Sequence, residues 1–195
     1  MFSIGSHDTM TYLRPAKWWM RIFHFMAQCQ DYSIQKQYED YGVKMFDIRL
    51  KYLPKEDKWV FAHGSIYFDK DIYEVFDYLN SRGESIYVRM LLEYNRRPKN
   101  EEAIISKYIT LCRSLRKTYK NLKFFEFRMK YNWEPLFKYK GMITPNICQR
   151  VSSTTGKIID DWFPRLYAWM FNKDIVNQGT NADWLLIDFI GKYYK

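Results

Sequence analysis

Residues 43–52 read Val-Lys-Met-Phe-Asp-Ile-Arg-Leu-Lys-Tyr, and their alternation decides the fold. The density of β-branched and aromatic residues marks a strand. Successive strand side chains point to opposite faces, so Val43, Met45, Asp47 and Arg49 share one face. That face runs apolar first and charged last. Residues 58–63 (Lys-Trp-Val-Phe-Ala-His) repeat the pattern, with Trp59 and Phe61 followed by His63. Residues 184–190 (Trp-Leu-Leu-Ile-Asp-Phe-Ile) do so with Trp184, Leu186 and then Asp188, and residues 2–7 with Ser3, Gly5 and then His7. Four strands with the reactive side chain at the C-terminal end have the polarity of an α/β barrel, packed below and functional above.

The segments between them fit that reading. Residues 69–82 place Ile72, Val75, Phe76 and Leu79 on one helical face, closed by Gly83. Residues 85–92 predict a strand. Residues 100–119 predict a helix capped near Asn100, with acids in its first turn and bases in its last. Residues 15–40 read mostly as helical from Pro15 onward. Residues 141–150 and 157–163 read as strands, and 164–176 as a helix starting at Pro164. The β-then-α rhythm gives an α/β fold in one domain over residues 1–195, a small TIM-type barrel. Such barrels run to ~250 residues. This chain has 195, and only 26 residues separate Asp161 from Asp188, so the barrel is expected to be distorted or incomplete.

Composition bounds the function. Hydrophobic residues make up 47% and charged residues 27%, which excludes a disordered chain. Arg21 and His24 interrupt the best apolar run, so no membrane span is expected. Lys and Arg number 31 against 22 Asp and Glu, a net charge of +9 that favours anionic partners such as phospholipid surfaces. Cys29, Cys112 and Cys148 follow no disulfide or zinc spacing and read as free thiols. No secretion signal opens the chain, so it is placed in the cytoplasm or peripheral to a membrane, or outside the cell if a leader has been removed. The basic stretch from Arg113 to Lys130 reads as a solvated helix face and its exit. Tyr119, Phe124 and Phe125 are expected to be buried there, which removes the stacking platform a nucleic-acid partner would need. A monomer is expected.

Two of the three histidines sit in distinctive settings, Ser6-His7-Asp8 and His63-Gly64. Between them lies Phe46-Asp47-Ile48-Arg49, and near the end lies Leu186-Ile187-Asp188-Phe189-Ile190-Gly191. Two imidazoles, several carboxylates and one arginine suit acid–base work on a phosphodiester. One imidazole takes a proton from an attacking hydroxyl and the other gives one to the leaving oxygen. Carboxylates orient the imidazoles, and the guanidinium fork neutralises the phosphorane charge.

The order GSHD, a helical region with Asp31-Tyr32 and Gln37, the block from Tyr41-Gly42 to Arg49, then HG and finally DFI resembles phosphatidylinositol-specific phospholipase C. The likeness is to its metal-independent bacterial branch, covers nearly the whole chain, and is strongest over residues 2–94. It implies that His7 is the general base toward the inositol 2-hydroxyl and His63 the general acid toward the diacylglycerol oxygen. It implies that Arg49 binds the phosphate where calcium sits in metal-dependent relatives, that Asp47 ties Arg49 into the network, that Asp8 pairs with His63, and that Asp188 orients His7. The product would be a cyclic inositol phosphate. No metal or other cofactor is expected; calcium is the alternative. Glu93 falls where the calcium-dependent relatives carry another carboxylate ligand, and one carboxylate beside a guanidinium makes a poor calcium site.

The likeness also assigns substrate-binding positions. A basic residue belongs near Leu91 and Leu92; Arg89 shares the face of Leu91, Arg96 and Arg97 lie just beyond, and any of the three would substitute; Glu93 follows Leu92. Arg150 on a fifth strand and Asp161 on a sixth would contact the sugar, with Trp162 or Phe163 stacked on it. On a helix over residues 16–29, Trp18, Ile22, Phe25, Met26 and Cys29 face the core. Trp19 and Phe23 then lie outside beside Lys17 and Arg21, as expected for peripheral contact with lipid headgroups. Two other functions fit the same residues: an inactive lipid- or phosphate-binding module of this fold, and a phosphodiesterase for another head group.

Overall fold

The computed structural model describes residues 2–193. In chain order the elements are β1 (Ser3–Ser6), α1 (Trp18–Ile22), α2 (His24–Ala27), α3 (Ile34–Glu39), β2 (Met45–Leu53), β3 (Lys58–His63), β4 (Ile66–Phe68), α4 (Ile72–Asn80) and β5 (Ile86–Leu92). There follow α5 (Glu101–Thr118), β6 (Leu122–Met129), β7 (Pro135–Phe137), β8 (Ile147–Gln149), α6 (Ile158–Trp162), α7 (Pro164–Gln178) and β9 (Trp184–Ile187). One curled sheet runs in the order β7-β6-β5-β2-β1-β9-β8. The run from β8 through β9, β1, β2 and β5 to β6 is parallel. β6 ends against the antiparallel β7 and does not pair with β8, so the barrel stays open along that seam. The expected α/β barrel is present, and it is incomplete.

Strand alternation sorts the side chains into two cores. The outward faces of β2, β5 and β6 present Phe46, Ile48, Val88, Met90, Phe124 and Phe127 to the helices. There they meet Val75, Phe76 and Leu79 of α4 and Tyr108, Leu111 and Leu115 of α5. α4 shows the predicted apolar face, and α5 buries one of its own. Asp71 caps α4 by accepting from the Tyr73 amide, whereas the Asn100 side chain makes no such bond to α5. The lumen is filled lower down by Met45, Phe125 and Leu186. Gly5 faces this layer, and a Cβ there would lie 2.8 Å from Met45 Sδ and 3.0 Å from Leu186 Cδ2. β1 therefore approaches its neighbours' side chains only because residue 5 has none of its own.

Several expectations are corrected. β3 is not a barrel strand: it folds back antiparallel on β2, with Leu50 opposite Phe61. Trp59 and Phe61 consequently pack in the outer core, and His63 reaches the site from a hairpin. Val43 precedes β2 and joins the outer core rather than the face of Met45. Residues 15–40 form three short helices instead of one long region, because the chain turns at Phe23 and residues 28–30 leave the helical path and bond elsewhere. The Cys29 and Gln30 backbone amides donate to the Thr11 side-chain Oγ1, and the Phe189 amide donates to Cys29 O. Trp18, Ile22 and Phe25 are exposed rather than in the core. Residues 157–163, expected as a strand, contain α6: Asp160 and Asp161 suit a first helical turn, and Ile158 and Ile159 are exposed with no sheet face to join. Of residues 141–150, only Ile147–Gln149 pair as β8.

The close approach at Gly5 is testable. Gly5→Ala should lower unfolding stability by about 1–3 kcal/mol through overpacking. In chemical denaturation the cost should be non-additive with Met45→Ala, which removes the nearest atoms; full additivity would show that Met45 does not limit the space.

Candidate active site

The charged layer lies directly above Met45, Phe125 and Leu186, at the C-terminal ends of the strands. β2 carries Asp47 and Arg49 two residues apart on its inward face. β1 ends at Ser6, which brings His7 and Asp8 beside them, and β9 ends one residue before Asp188. Asp8 sits in the left-handed region, with φ of 44°. This aims its carboxylate back over the site while its amide donates to Asp47 Oδ2 at 3.2 Å.

Arg49 stands at the centre. Its Nε is 2.7 Å from Asp8 Oδ1, its Nη2 3.0 Å from Asp47 Oδ2, and its Nη1 3.5 Å from Glu93 Oε2. Nη2 also lies 2.7 Å from His7 Nε2. A guanidinium only donates, so His7 Nε2 must accept and the ring proton must sit on Nδ1. That proton is donated to Asp188 Oδ1 at 2.8 Å. The contact network thus assigns His7 as the neutral Nδ1–H tautomer. Burial and the nearby Arg49 charge both push its pKa well below the ordinary imidazole value. Burial works against the Arg49 charge, but Asp47, Asp8 and Glu93 outweigh it and keep the guanidinium protonated.

The carboxylates separate by environment. Burial alone would raise Asp47, but Arg49 and Arg89 prevail and hold it well below the usual range. Asp8 pairs with one arginine and is raised to about 6, because burial outweighs the Arg49 attraction. Burial, with Asp8 nearby, pushes Asp188 well above the usual value. His63 is the more accessible imidazole. Its Nδ1 donates to Ala27 O at 2.8 Å, and its Nε2 lies 3.5 Å from Asp8 Oδ2. Asp8 therefore stands between the two histidines, 3.4 Å from His7 Nε2.

His7, Asp8, Asp47, Arg49, His63 and Asp188 come together as the sequence suggests, and Glu93 and Arg89 join them. Arg89 donates to Glu126 at 2.7 Å and to Gln149 at 2.9 Å, and its Nε lies 4.0 Å from Asp47 Oδ1. Its guanidinium also lies over the Trp133 ring, 5.5 Å from the centroid. Arg89, Glu126 and Gln149, with Arg128, line a cavity of about 580 Å³ at the open seam. Other expected substrate residues lie elsewhere. Ile147 and Gln149 face the lumen, so alternation turns Arg150 outward, where it is exposed and borders a second cavity with Tyr167 and Asp174. Asp161 and Trp162 are exposed on α6 and not carried by a strand.

Sequence reasoning missed Glu126, Gln149, Gln30 and the place of Cys29. Simple alternation sends Glu126 outward with Phe124. A bulge between Arg89 and Leu91 partners, with φ of 53° at Glu126, turns it inward instead. Gln30 braces the site from behind, donating to His7 O and Ile187 O and accepting from the Ile190 amide. Cys29 Sγ lies 4.0 Å from both Asp8 Oδ2 and His63 Nδ1. Among the described residues His7, Asp8 and Cys29 bring one donor atom each within 4.8 Å of one another. Their mixed nitrogen, oxygen and sulfur set is not a calcium set, which needs several oxygens. Asp8, Asp47 and Glu93, the carboxylates calcium would need, all face Arg49.

The Asp8 environment predicts a pH-dependent stability. Its folded pKa of about 6 lies above the ordinary 3.8, so the stability it contributes is complete below about 4 and lost as pH rises through about 6. Asp8→Asn should therefore have a higher Tm than the parent at neutral pH, and the difference should vanish in acid. A variant less stable at neutral pH would show that the Arg49 pairing outweighs burial.

No protein-family model matches the chain, and no curated protein matches it. Solved structures do. Phosphatidylinositol-specific phospholipase C from Listeria monocytogenes matches with a TM-score of 0.60 at 20% identity, covering 99% of this chain and 90% of that one. A mutant of the Staphylococcus aureus enzyme matches with a TM-score of 0.60 at 17% identity, over 97% of this chain and 86% of that one. A further S. aureus structure, concerned with that enzyme's membrane binding, gives 0.59 at 16% with the same coverage. Over nearly its whole length, the chain has the distorted α/β-barrel fold of the bacterial phosphatidylinositol-specific phospholipases C.

Proposed function

We propose that the protein is a phospholipase C-type phosphodiesterase that cleaves phosphatidylinositol, or a phospholipid with a related head group, to diacylglycerol and a cyclic inositol phosphate. The observation that carries this reading is the placement of His7 and His63 on either side of Asp8, with the Arg49 guanidinium between strand ends. The inositol 2-hydroxyl oxygen attacks phosphorus and its proton passes to His7 Nε2. Asp188 receives the Nδ1–H and stabilises the imidazolium that forms. The bond from phosphorus to the diacylglycerol oxygen breaks, and that oxygen takes a proton from His63 Nε2. Asp8 and Ala27 O together accept from both nitrogens of the His63 imidazolium before transfer.

Arg49 has two partners in turn. Without substrate it caps His7 Nε2; with substrate it leaves that lone pair free and takes the phosphate oxygens, neutralising the charge that builds there. It supplies at this strand position the positive charge that a divalent cation would otherwise bring. Arg89, Glu126 and Gln149 at the seam cavity would receive the head group.

Membrane contact is part of the proposal. α1 and α2 follow the C-terminal end of β1, and α6 and α7 follow that of β8, so both pairs sit at the end of the barrel that holds His7. Trp18, Trp19, Ile22 and Phe23 on one side and Ile158, Trp162 and Trp169 on the other are exposed. Stacking of Phe25 on Phe163 at 5.9 Å joins the two groups into one apolar rim. Aromatic residues interleaved with Lys17, Arg21 and Arg165 suit a surface that rests in lipid headgroups. No helix among the described residues is long and apolar enough to cross a membrane, so the contact is peripheral. The closure of the site, where His7 is 3% and Arg49 4% exposed, favours as second reading a lipid-binding module without turnover. Vesicle binding without product would distinguish it.

Leaving-group chemistry tests the assigned roles. On lipid substrate His7→Ala and His63→Ala should each reduce kcat by about 10²–10⁴. On an inositol phosphate ester with an aryl leaving group, which needs little protonation, His63→Ala should recover most of its rate and His7→Ala should not. Equal losses on both substrates would remove His63 from the acid role. Trp18→Ala combined with Trp169→Ala should weaken binding to phosphatidylinositol vesicles and slow turnover on them. Turnover of a soluble substrate should stay unchanged, and a parallel loss there would move both residues out of the membrane role.

A further inference from the structure

At the far end of the barrel, α5 carries Arg113, Arg116 and Lys117 on its exposed side, and Lys120 follows in the next turn. The spacing i, i+3, i+4 stacks Arg113, Arg116 and Lys117 on one helical face, away from the buried Tyr108, Leu111, Cys112 and Leu115, and Lys120, just past the helix end, lines the same cavity. They face a cavity of about 400 Å³ whose remaining walls are Phe137 and Tyr139. The Arg116 guanidinium lies 4.0 Å from the Tyr139 ring centroid, and that of Arg113 lies 5.5 Å from the Phe137 centroid. Both guanidinium groups thus lie over aromatic rings while also lining the cavity. Among the described residues no ion pair joins any of the four to a carboxylate.

Cations in the last turn of a helix are explained by the helix dipole, and Arg116 and Lys117 stand there. Arg113 and Lys120 lie outside that turn. Like charges three and four residues apart repel, so the stripe carries an uncompensated cost that an anion in the cavity would relieve. We infer that this cavity is a second anion site that binds a compact, multiply charged phosphate group. Parallel β5 and β6 are joined by α5, so the end of α5 lies at the N-terminal ends of the strands, opposite His7 and the apolar rim. A bilayer resting on that rim does not reach it, which favours a free phosphate compound over a lipid head group. The site is independent of the proposed phosphodiesterase activity.

Titration calorimetry with inorganic tripolyphosphate at low ionic strength tests the inference. The parent protein should bind, and Arg116→Gln with Lys120→Gln should weaken binding at least about tenfold, because each change removes a charged donor. The unliganded melting temperature of this variant should be equal or higher, since repulsion is removed. Lys17→Gln with Arg21→Gln, the same charge change at the rim, should leave the affinity unchanged. Absence of binding, or an equal loss in the rim variant, would overturn the inference. Vesicles containing phosphatidic acid distinguish the source. Displacement by tripolyphosphate assigns the cavity to a lipid head group, and vesicle binding that tripolyphosphate does not affect leaves it to a free anion.

Discussion

A guanidinium buried among three carboxylates and a neutral imidazole is the interaction on which the rest depends. Arg49 is 4% exposed, and a charge so placed persists only if its surroundings supply counter-charge and hydrogen bonds. Asp8, Asp47 and Glu93 supply the charge, and His7 Nε2 accepts the remaining contact. The pairing constrains every element that contributes to it. β1, β2 and β5 must bring His7, Arg49 and Glu93 to the same height, and their parallel register does so, with Ser6 opposite Phe46 and Arg49 opposite Leu91. The cost of keeping Asp8 buried beside a single arginine appears in its raised pKa, a local instability located where the proposed chemistry needs a carboxylate between two histidines.

The shape of the barrel follows from the same demand. Apolar side chains close the lumen below, where β1 tolerates the crowding only with glycine at residue 5. Above that layer the lumen is polar, and the chain departs from regular barrel geometry wherever a side chain must be redirected. The β2–β3 hairpin brings His63 back over the site, the β6 bulge turns Glu126 toward Arg89, and the non-helical segment at residues 28–30 lays Cys29 and Gln30 across the back of His7. The seam between β6 and β8 is the remaining gap, and its cavity adjoins the charged cluster through Arg89 and Asp47.

Much of this was legible in the sequence where period-two alternation runs unbroken. β2 and β9 place Met45, Asp47, Arg49, Leu186 and Asp188 as the pattern requires, and α4 keeps its apolar stripe. Legibility failed where the backbone changes direction. Alternation alone does not reveal that β3 runs antiparallel, because a strand reads the same in either pairing. It does not reveal a bulge, which inverts every later residue on the strand. Arg150 illustrates the cost of a one-residue offset: the lumen position belongs to Gln149. Trp18, Ile22 and Phe25 were misread as core because an exposed apolar face and a core face share one composition, and a single helix over 16–29 hides the turn at Phe23 that divides it.

Turnover of phosphatidylinositol vesicles in the presence of a divalent-metal chelator, scored for cyclic inositol phosphate, tests the central claim most directly. If Arg49 supplies the charge at the phosphate, the cyclic product forms with chelator present and disappears in Arg49→Ala. Product that forms only after calcium is restored, or turnover that survives the loss of Arg49, would contradict the account.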